Sequence, residues 1–191
     1  AIDGTLQTAI SAIASEQAKP TKSTMDKVKQ FLDYVASHEE PVLTYSASNM
    51  VLAGHSDGSY LSECNARSRA GGQWFLSNDS ADPPFNGTIL NILQIIKAVM
   101  SSAVEAELGA LFINAHEAAY IRKILIEMGH PQPRTPLQTD NSTAEGVVNK
   151  NVQTKKLKSM DMRFHWLRDR ESQGQFRIFW RLGKANRADY W

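Results

Sequence analysis

Four acidic residues spread along the sequence could form one metal-dependent site. They are Asp57, Glu107, Asp140 and Asp189. Carboxylates that meet in a poorly hydrated place repel one another unless cations neutralise them, and all-oxygen ligands suit Mg²⁺ or Mn²⁺ rather than zinc. Two such ions about 4 Å apart can activate a water molecule and stabilise the leaving oxygen of a displacement at phosphorus. The hypothesis is therefore a phosphodiester-hydrolysing site, provided that the fold brings the four residues together.

The hydrophobic pattern predicts the elements that must do this. Strands are predicted over residues 42–45 and 50–54, 70–77, 88–100, 134–139 and 176–180, and helices over 102–129 and 157–170 and from residues 140 and 186 onward. Asp57 then lies just after residue 54, where the first strand should still be running, Glu107 in the helix after the third strand, Asp140 at the end of the fourth strand and Asp189 in the last helix. The mixed order predicts an α/β fold with a five-stranded mixed sheet, in which an antiparallel meander continues into parallel strands that cross over through helices.

Two short amphipathic helices are predicted before the sheet. The first covers residues 1–15, and Pro20 separates it from the second, which Ser23 or Thr24 could cap. We therefore expect residues 1–40 to form a helical arm and residues 41–191 to form the main domain.

The composition is that of an ordinary globular protein, with 42% hydrophobic and 21% charged residues. The longest apolar run, residues 89–100, is interrupted and too short to span a bilayer, so no membrane association is expected. A single cysteine, Cys64, excludes an internal disulfide. The N-terminus has no signal-peptide pattern, and because it begins with Ala1 we expect a segment of a longer chain.

Charge is unevenly distributed along the chain. The formal net charge is +1, yet residues 150–187 contain eleven Lys or Arg against three Asp or Glu, about +8. A basic face on a nearly neutral domain fits a polyanionic partner, although a solvated charged helix would give the same pattern.

Four short motifs surround the acidic residues in an order that resembles one known family. They are Ser56-Asp57-Gly58-Ser59, Ser101-Ser102-x-x-Glu105-Ala106-Glu107-Leu108-x-Ala110, Thr139-Asp140-Asn141 and Gly183-x-x-Asn186-x-Ala188-Asp189. Together they resemble the ribonuclease H domain of a copia-type, or closely related, LTR retrotransposon reverse transcriptase. The arm, with Gln17-x-x-Pro20-Thr21, resembles the end of the connection region that precedes such a domain.

The resemblance implies a role for each carboxylate. Asp57 is expected to bridge two Mg²⁺ ions, which Mn²⁺ can replace, Glu107 and Asp140 to complete the site of the attacking water, and Asp189 to hold the ion on the leaving-group side. Glu105 is the alternative to Glu107. Two residues two positions apart on a helix are about 200° apart, so both cannot face the site, and the Glu-Leu-x-Ala pattern of the family favours Glu107.

The resemblance also implies an RNA/DNA hybrid as substrate, which such a domain distinguishes by its shape and its 2′-hydroxyls. The residues expected to contact nucleic acid are Ser59, Asn141, Ser142, Lys155, Lys156, Lys158, Arg181 and Lys184. Asn141 and Ser142 would lie near a sugar hydroxyl or merely cap a helix. Many relatives carry a mobile histidine in the loop before the last helix. Residues 181–185 contain none, so slow turnover is expected, with Arg181 or Lys184 contacting phosphate instead. His55 is expected to be a packing or surface residue.

In such a retrotransposon the domain would act during reverse transcription, beside the polymerase and connection domains of the same polyprotein. The expected location is intracellular, in a cytoplasmic retrotransposon particle or in the nucleus. Two other hypotheses keep the fold. One is a degenerate or domesticated module that binds nucleic acid or supports a polymerase without catalysis. The other is an integrase- or transposase-like enzyme that acts on DNA, although such enzymes usually use three carboxylates and the Asp189 motif argues against them.

Overall fold

The computed structural model describes residues 4–38, 40–150 and 162–190, and the chain divides into two compact units, Ala1–Thr44 and Tyr45–Trp191. The division falls four residues after the predicted end of the helical arm. The origin of the first unit in a connection-like region stays a prediction.

The first unit contains a 3₁₀ turn, Gly4–Leu6, and two helices, α1 (Gln7–Ser15) and α2 (Lys22–Ser37). The cap of α2 is Thr21, not Ser23 or Thr24. Its side chain accepts a hydrogen bond from the backbone of Thr24, whose hydroxyl accepts from the backbone of Thr21 in return. Glu16 joins the two helices, because its carboxylate accepts a hydrogen bond from the Thr24 hydroxyl at 2.7 Å and pairs with Lys27.

The second unit contains five strands and three helices among its described residues. In chain order they are β1 (Val51–Glu63), β2 (Arg67–Ser77), β3 (Thr88–Ile95), α3 (Ala103–Glu127), β4 (Thr135–Thr139), α4 (Ser142–Val148), α5 (Met162–Ser172) and β5 (Phe176–Trp180). Two 3₁₀ turns follow, Gly183–Ala185 and Arg187–Tyr190.

The five strands form one sheet in the order β3-β2-β1-β4-β5. The first three are antiparallel neighbours, and β4 pairs parallel with both β1 and β5. The parallel pairs are joined by helical crossovers, as parallel strands require. The predicted mixed sheet, a meander continued by parallel strands, is therefore confirmed.

Helix α3 packs against the sheet and provides much of the core. Leu111, Ala115 and Ala118 on this helix are fully buried with Leu52, Trp74 and Leu137 from three strands, and Phe176 from β5 belongs to the same cluster. A continuous core of this kind holds α3 at a fixed height above β1, and the height decides where Glu107 lies.

Several predicted elements differ from the structure, among them the first strand, which runs to Glu63 rather than ending at residue 54. Residues 42–45 have no regular secondary structure, and Val42 is 86% exposed, so this short apolar run has no sheet face to cover. The third strand ends at Ile95 rather than near residue 100. The amide of Ile96 still bonds to the carbonyl of Ser68, but β2 begins at Arg67 and leaves no further partner. The predicted last helix, from residue 186 onward, is the 3₁₀ turn Arg187–Tyr190.

Within the described ranges, no helix combines the length and the apolar character that a bilayer crossing would need.

Candidate active site

Asp57, Glu107 and Asp140 converge at one point beside the sheet. One carboxylate oxygen from each lies within 4.8 Å of those of the other two. Glu107 is buried, with 6% of its surface exposed, and the other two residues are half-buried. The three residues come from β1, α3 and the end of β4, so the group exists only in the assembled fold.

The parallel pairing of β1 with β4 places Asp57 beside Asp140. Gly54 faces Leu137 and His55 faces Gln138 in this register. Three residues after Gly54 comes Asp57, and three residues after Leu137 comes Asp140. The sheet register thus sets the separation of these two carboxylates, and α3 adds the third from above.

The start of α3 distinguishes Glu107 from Glu105. Ser102 caps the helix by accepting a hydrogen bond from the amide of Glu105 at 3.2 Å, and the Glu105 carboxylate accepts one from the amide of Ser101 at 2.8 Å. Glu105 is therefore used in the helix cap. Glu107 lies about 200° further around the helix and faces Asp57 and Asp140.

Burial and mutual repulsion raise the pKa values of this group. Burial, followed by the charges of Asp140 and Asp189, raises the pKa of Asp57 to about 6. Burial, followed by the charges of Asp57 and Asp140, raises the pKa of Glu107 to about 8. Burial and then Asp189 also raise the pKa of Asp140. Among the described residues, the charged groups that act on these three carboxyls are therefore acidic.

The donor set fits a hard divalent cation. It consists of three carboxylates without nitrogen or sulfur, and oxygen ligands are those of Mg²⁺ and Mn²⁺. The Thr139 hydroxyl lies 3.5 Å from Glu107 Oε2 and donates only a weak hydrogen bond there, so the carboxylate oxygens keep capacity for a metal. Asp57, Glu107 and Asp140 are the residues that would hold it.

Asp189 lies outside the group of three but close to it. It is exposed and belongs to the 3₁₀ turn Arg187–Tyr190. Its charge raises the pKa values of both Asp57 and Asp140. Its charge therefore acts on the site, although its carboxylate is not one of the three that converge.

The loop after β5 lies against Asp140. A Cβ atom on Gly183 would be 3.1 Å from Asp140 Oδ2, and the Trp180 indole donates a hydrogen bond to the Asp140 carbonyl at 2.9 Å. Gly183 belongs to the last sequence motif but was not expected to contact Asp140, and Trp180 was not singled out. The motif glycine could have indicated the first contact, whereas the second depends on the sheet register and has no sequence signal.

Two residues predicted to contact nucleic acid directly follow Asp140. Asn141 caps α4, because its side chain accepts a hydrogen bond from the amide of Ala144 at 3.0 Å. This is the helix-cap alternative. Because only the side-chain oxygen is used in the cap, the side-chain NH₂ group can still make other contacts. Ser142 is exposed at the first position of α4.

The remaining predicted contacts are more dispersed. The Ser59 hydroxyl bonds to that of Ser62 at 2.6 Å. Arg181 contacts Asp82 at 3.1 Å, so its guanidinium already has an anionic partner. Lys184 is exposed in the turn that approaches Asp140. Lys155, Lys156 and Lys158 lie outside the described residues.

Asn114 is a supporting residue that the sequence analysis missed. It is fully buried on α3. Its side-chain amide lies within hydrogen-bonding distance of the Ser56 hydroxyl and donates to the carbonyl of Gly71, and its oxygen accepts from the Trp74 indole at 3.2 Å. An asparagine among apolar residues, seven positions after Glu107 and so on the same helix face, was the available signal. It ties α3 to β1 one residue before Asp57.

No family model matches the chain. The chain is 22% identical over 181 residues to a retrovirus-related Pol polyprotein from the transposon TNT 1-94 of Nicotiana tabacum. The match covers 95% of this chain but only 13% of the polyprotein, so the chain spans about an eighth of that relative's length.

Two solved structures are similar to the fold. LC11-RNase H1, isolated from compost by a metagenomic approach, has a TM-score of 0.55 at 12% identity, over 73% of this chain and 91% of that one. The same enzyme in complex with an RNA/DNA hybrid has a TM-score of 0.51 at 13% identity, over 72% and 91%. The chain therefore has a ribonuclease H-like fold, and the resemblance to the ribonuclease H domain of an LTR retrotransposon is confirmed.

Proposed function

We propose that this protein is an endoribonuclease that hydrolyses the RNA strand of RNA/DNA hybrids, with two divalent metal ions. The observation that carries the proposal is the convergence of Asp57, Glu107 and Asp140 in a partly buried, acidic cluster on a ribonuclease H-like fold. Its carboxyls have raised pKa values, which is typical of groups gathered for a function rather than for stability.

Each of the four carboxylates would have its own role in binding the metal ions. Asp57 would contact both ions. Glu107 and Asp140 would hold the ion on the side of the attacking water, and Asp189 would hold the other on the leaving-group side. Mg²⁺, or Mn²⁺ in its place, would neutralise this charge when bound and favour in-line displacement at phosphorus. The products would be a 3′-hydroxyl and a 5′-phosphate on the RNA.

Residues beside Asp140 would recognise the hybrid. Asn141 and Ser142 carry polar groups at the start of α4, where a 2′-hydroxyl could be bound. Lys184, in the adjoining turn, would contact a backbone phosphate, and Arg181 would do so after leaving Asp82. Phosphate contacts of this kind make binding salt-dependent without making it sequence-specific.

The retrotransposon context is part of the same proposal. The similarity to a Pol polyprotein supports a role in reverse transcription, beside polymerase and connection domains of a longer chain. The LC11-RNase H1 complex with an RNA/DNA hybrid supports the substrate. The corresponding location is intracellular, in a cytoplasmic retrotransposon particle or in the nucleus.

The test is cleavage of a labelled RNA/DNA hybrid in Mg²⁺, Mn²⁺ or EDTA, beside single-stranded RNA, duplex RNA and duplex DNA. Glu107→Gln and Asp140→Asn should abolish metal-dependent cleavage. Glu105→Gln is the matched control, because it makes the same chemical change two residues away, and it should retain activity.

Other outcomes would favour a different function or contradict the assignment of a residue. Salt-dependent binding of the hybrid without cleavage in any metal would favour a non-catalytic nucleic-acid-binding module. Cleavage of duplex DNA but not of the hybrid would favour an integrase- or transposase-like enzyme. Equal loss of activity in Glu105→Gln and Glu107→Gln would contradict the assignment of Glu107 alone.

A further inference from the structure

The turn that carries Asp189 is attached to β1 by two hydrogen bonds. The side-chain amide of Asn186 donates to the carbonyl of Ser56 at 3.0 Å. The backbone amide of Arg187 donates to Nδ1 of His55 at 2.9 Å. Both acceptors lie on β1 directly before Asp57, so the two bonds connect the backbone near Asp189 to the backbone near Asp57.

Asn186 also shapes the turn itself. Its side-chain oxygen accepts a hydrogen bond from the amide of Ala188 at 3.1 Å, and its carbonyl accepts one from the amide of Asp189 at 3.3 Å. One residue therefore uses its side-chain amide to hold β1 and its two oxygens to hold the residues that lead to Asp189. The turn is therefore held through Asn186, directly before it, rather than through the Asp189 carboxylate.

The connection is shielded from water. His55 is 8% exposed, Asn186 is 5% exposed and Ala188 is fully buried. The His55 ring packs edge-on against Phe75, with 5.4 Å between centroids. A shielded hydrogen bond is costly to leave half-made, because the remaining partner stays desolvated. Asp189 itself is exposed, so these buried neighbours are what restrict its position.

We propose that His55 and Asn186 are positioning residues that fix Asp189 at the distance from Asp57 that a second metal ion requires. The inference rests on the proposed function in one respect, namely that Asp189 is a ligand of that ion. His55 acts through the backbone of Arg187 and Asn186 through the turn. Neither contacts the substrate or an ion.

Two substitutions of His55 separate the hydrogen bond from packing. His55→Phe keeps a ring against Phe75 but removes the acceptor of the Arg187 amide. His55→Asn loses the ring but places an amide oxygen near the position of Nδ1. Under the proposal the second variant resembles the wild type, whereas a packing role would make the first variant the milder one.

The main readout is Mn²⁺ binding to each protein, followed by electron paramagnetic resonance. The wild type should bind two ions. His55→Phe should lower the affinity for the more weakly bound ion by about tenfold, the effect of roughly one hydrogen bond. The affinity for the more tightly bound ion should not change. Asp189→Asn should weaken the same ion, and adding His55→Phe to it should have no further effect.

Asn186→Asp provides a second, independent variant in case His55→Phe does not fold. It removes the donor to Ser56 and keeps the oxygen that Ala188 uses. The added negative charge alone would strengthen cation binding, so weaker binding of the second ion indicates lost positioning. Thermal unfolding of each variant, measured without metal, gives the stability against which the binding data are compared.

The results distinguish failure of this inference from failure of the proposed function. Unchanged Mn²⁺ binding in both His55→Phe and Asn186→Asp, additive losses with Asp189→Asn, or a wild type that binds one ion would overturn the positioning role. Hybrid cleavage by the wild type tests the function separately, since the Mn²⁺ measurement does not require turnover.

Discussion

A Cβ atom on Gly58 would lie 2.7 Å from the carbonyl oxygen of Ala106. The strand that carries Asp57 and the helix that carries Glu107 therefore meet through their backbones, one residue from each carboxylate. No side chain larger than hydrogen fits between them, and this close approach brings the two carboxylates together.

Gly58→Ala should separate the two elements and reduce activity strongly. The new methyl group meets backbone rather than a side chain that could turn away, so either β1 or α3 must shift. Overpacking of this kind costs about 1–3 kcal/mol of stability, and a small displacement of Glu107 should weaken metal binding more than it weakens the fold. Thermal unfolding and Mg²⁺-dependent cleavage of the hybrid measure the two effects.

Gly109→Ala is the matched control on the same helix. A Cβ atom there would be 3.4 Å from Ile96 Cδ1, an ordinary contact, and alanine is the better helix former by about 1 kcal/mol. Equal losses of activity in both variants would show that the backbone contact at Gly58 is not specific to the site.

The metal-free protein should lose stability as the pH rises. Asp57 and Glu107 have pKa values of about 6 and about 8 in the fold, against about 4 in an unfolded chain. Between pH 4 and pH 8 the folded protein holds protons that the unfolded chain has released, so the free energy of unfolding falls across this range. One pKa unit corresponds to about 1.4 kcal/mol, and we expect a loss of a few kcal/mol in EDTA.

Glu107→Gln should weaken this trend, since Asp57 alone would remain to ionise. The variant removes a buried carboxyl that must ionise, so at pH 8 in EDTA it should unfold at a higher temperature than the wild type, while near pH 4 the two should be similar. Mg²⁺ should stabilise the wild type and have a smaller effect on the variant. A variant that is less stable at pH 8 would contradict the predicted cost of ionising Glu107.

Metal binding should release protons near neutral pH. With its pKa at about 8, the Glu107 carboxyl is mostly protonated at pH 7, and a cation displaces that proton because ligands bind in their ionised form. The affinity for Mn²⁺ should therefore rise from pH 6 to pH 8 and level off above it. Calorimetry in two buffers of different ionisation enthalpy counts the protons, and identical heats in both buffers would exclude the release.

Asp82→Asn should strengthen binding of the hybrid. Asp82 contacts Arg181 at 3.1 Å, and both side chains are largely exposed. An exposed ion pair is worth about 0–1 kcal/mol, so freeing Arg181 should raise the affinity by up to about fivefold at low salt and steepen the salt dependence. Asp79→Asn makes the same charge change in the same loop and serves as control. An equal effect of both would indicate general charge rather than release of Arg181.

Much of the fold and of the site could be predicted because local patterns and global structure agree. Phe176–Trp180 alternates and is a strand with those bounds. Ser102 was a natural cap, and the helix after it places Glu107 rather than Glu105 beside Asp57. The acidic motifs were found through their order along the chain, a signal that does not depend on distances in space.

What could not be predicted depends on tertiary contacts. A Cβ atom on Gly72 would lie 1.7 Å from the Asn114 side-chain oxygen, so these two residues specify each other across 42 positions of sequence without a local sign. His55 was expected to be a packing or surface residue. Nothing in the sequence around it indicated that it accepts a hydrogen bond from the amide of Arg187. The 3₁₀ form of the last turn likewise follows from its attachment to β1 and not from its own composition.

The bond between Arg187 and His55 spans 132 positions of the chain, which has a consequence for the order of folding. Closing long loops costs entropy that local contacts do not, and structures rich in distant contacts form slowly. Three carboxylates should therefore assemble before the fourth is anchored. During refolding, full Mn²⁺ binding should lag behind the tryptophan fluorescence change, and simultaneous signals would contradict this order. If the proposed function holds, the ability to cleave would then appear late in folding, because the topology leaves the Asp189 turn to be attached last.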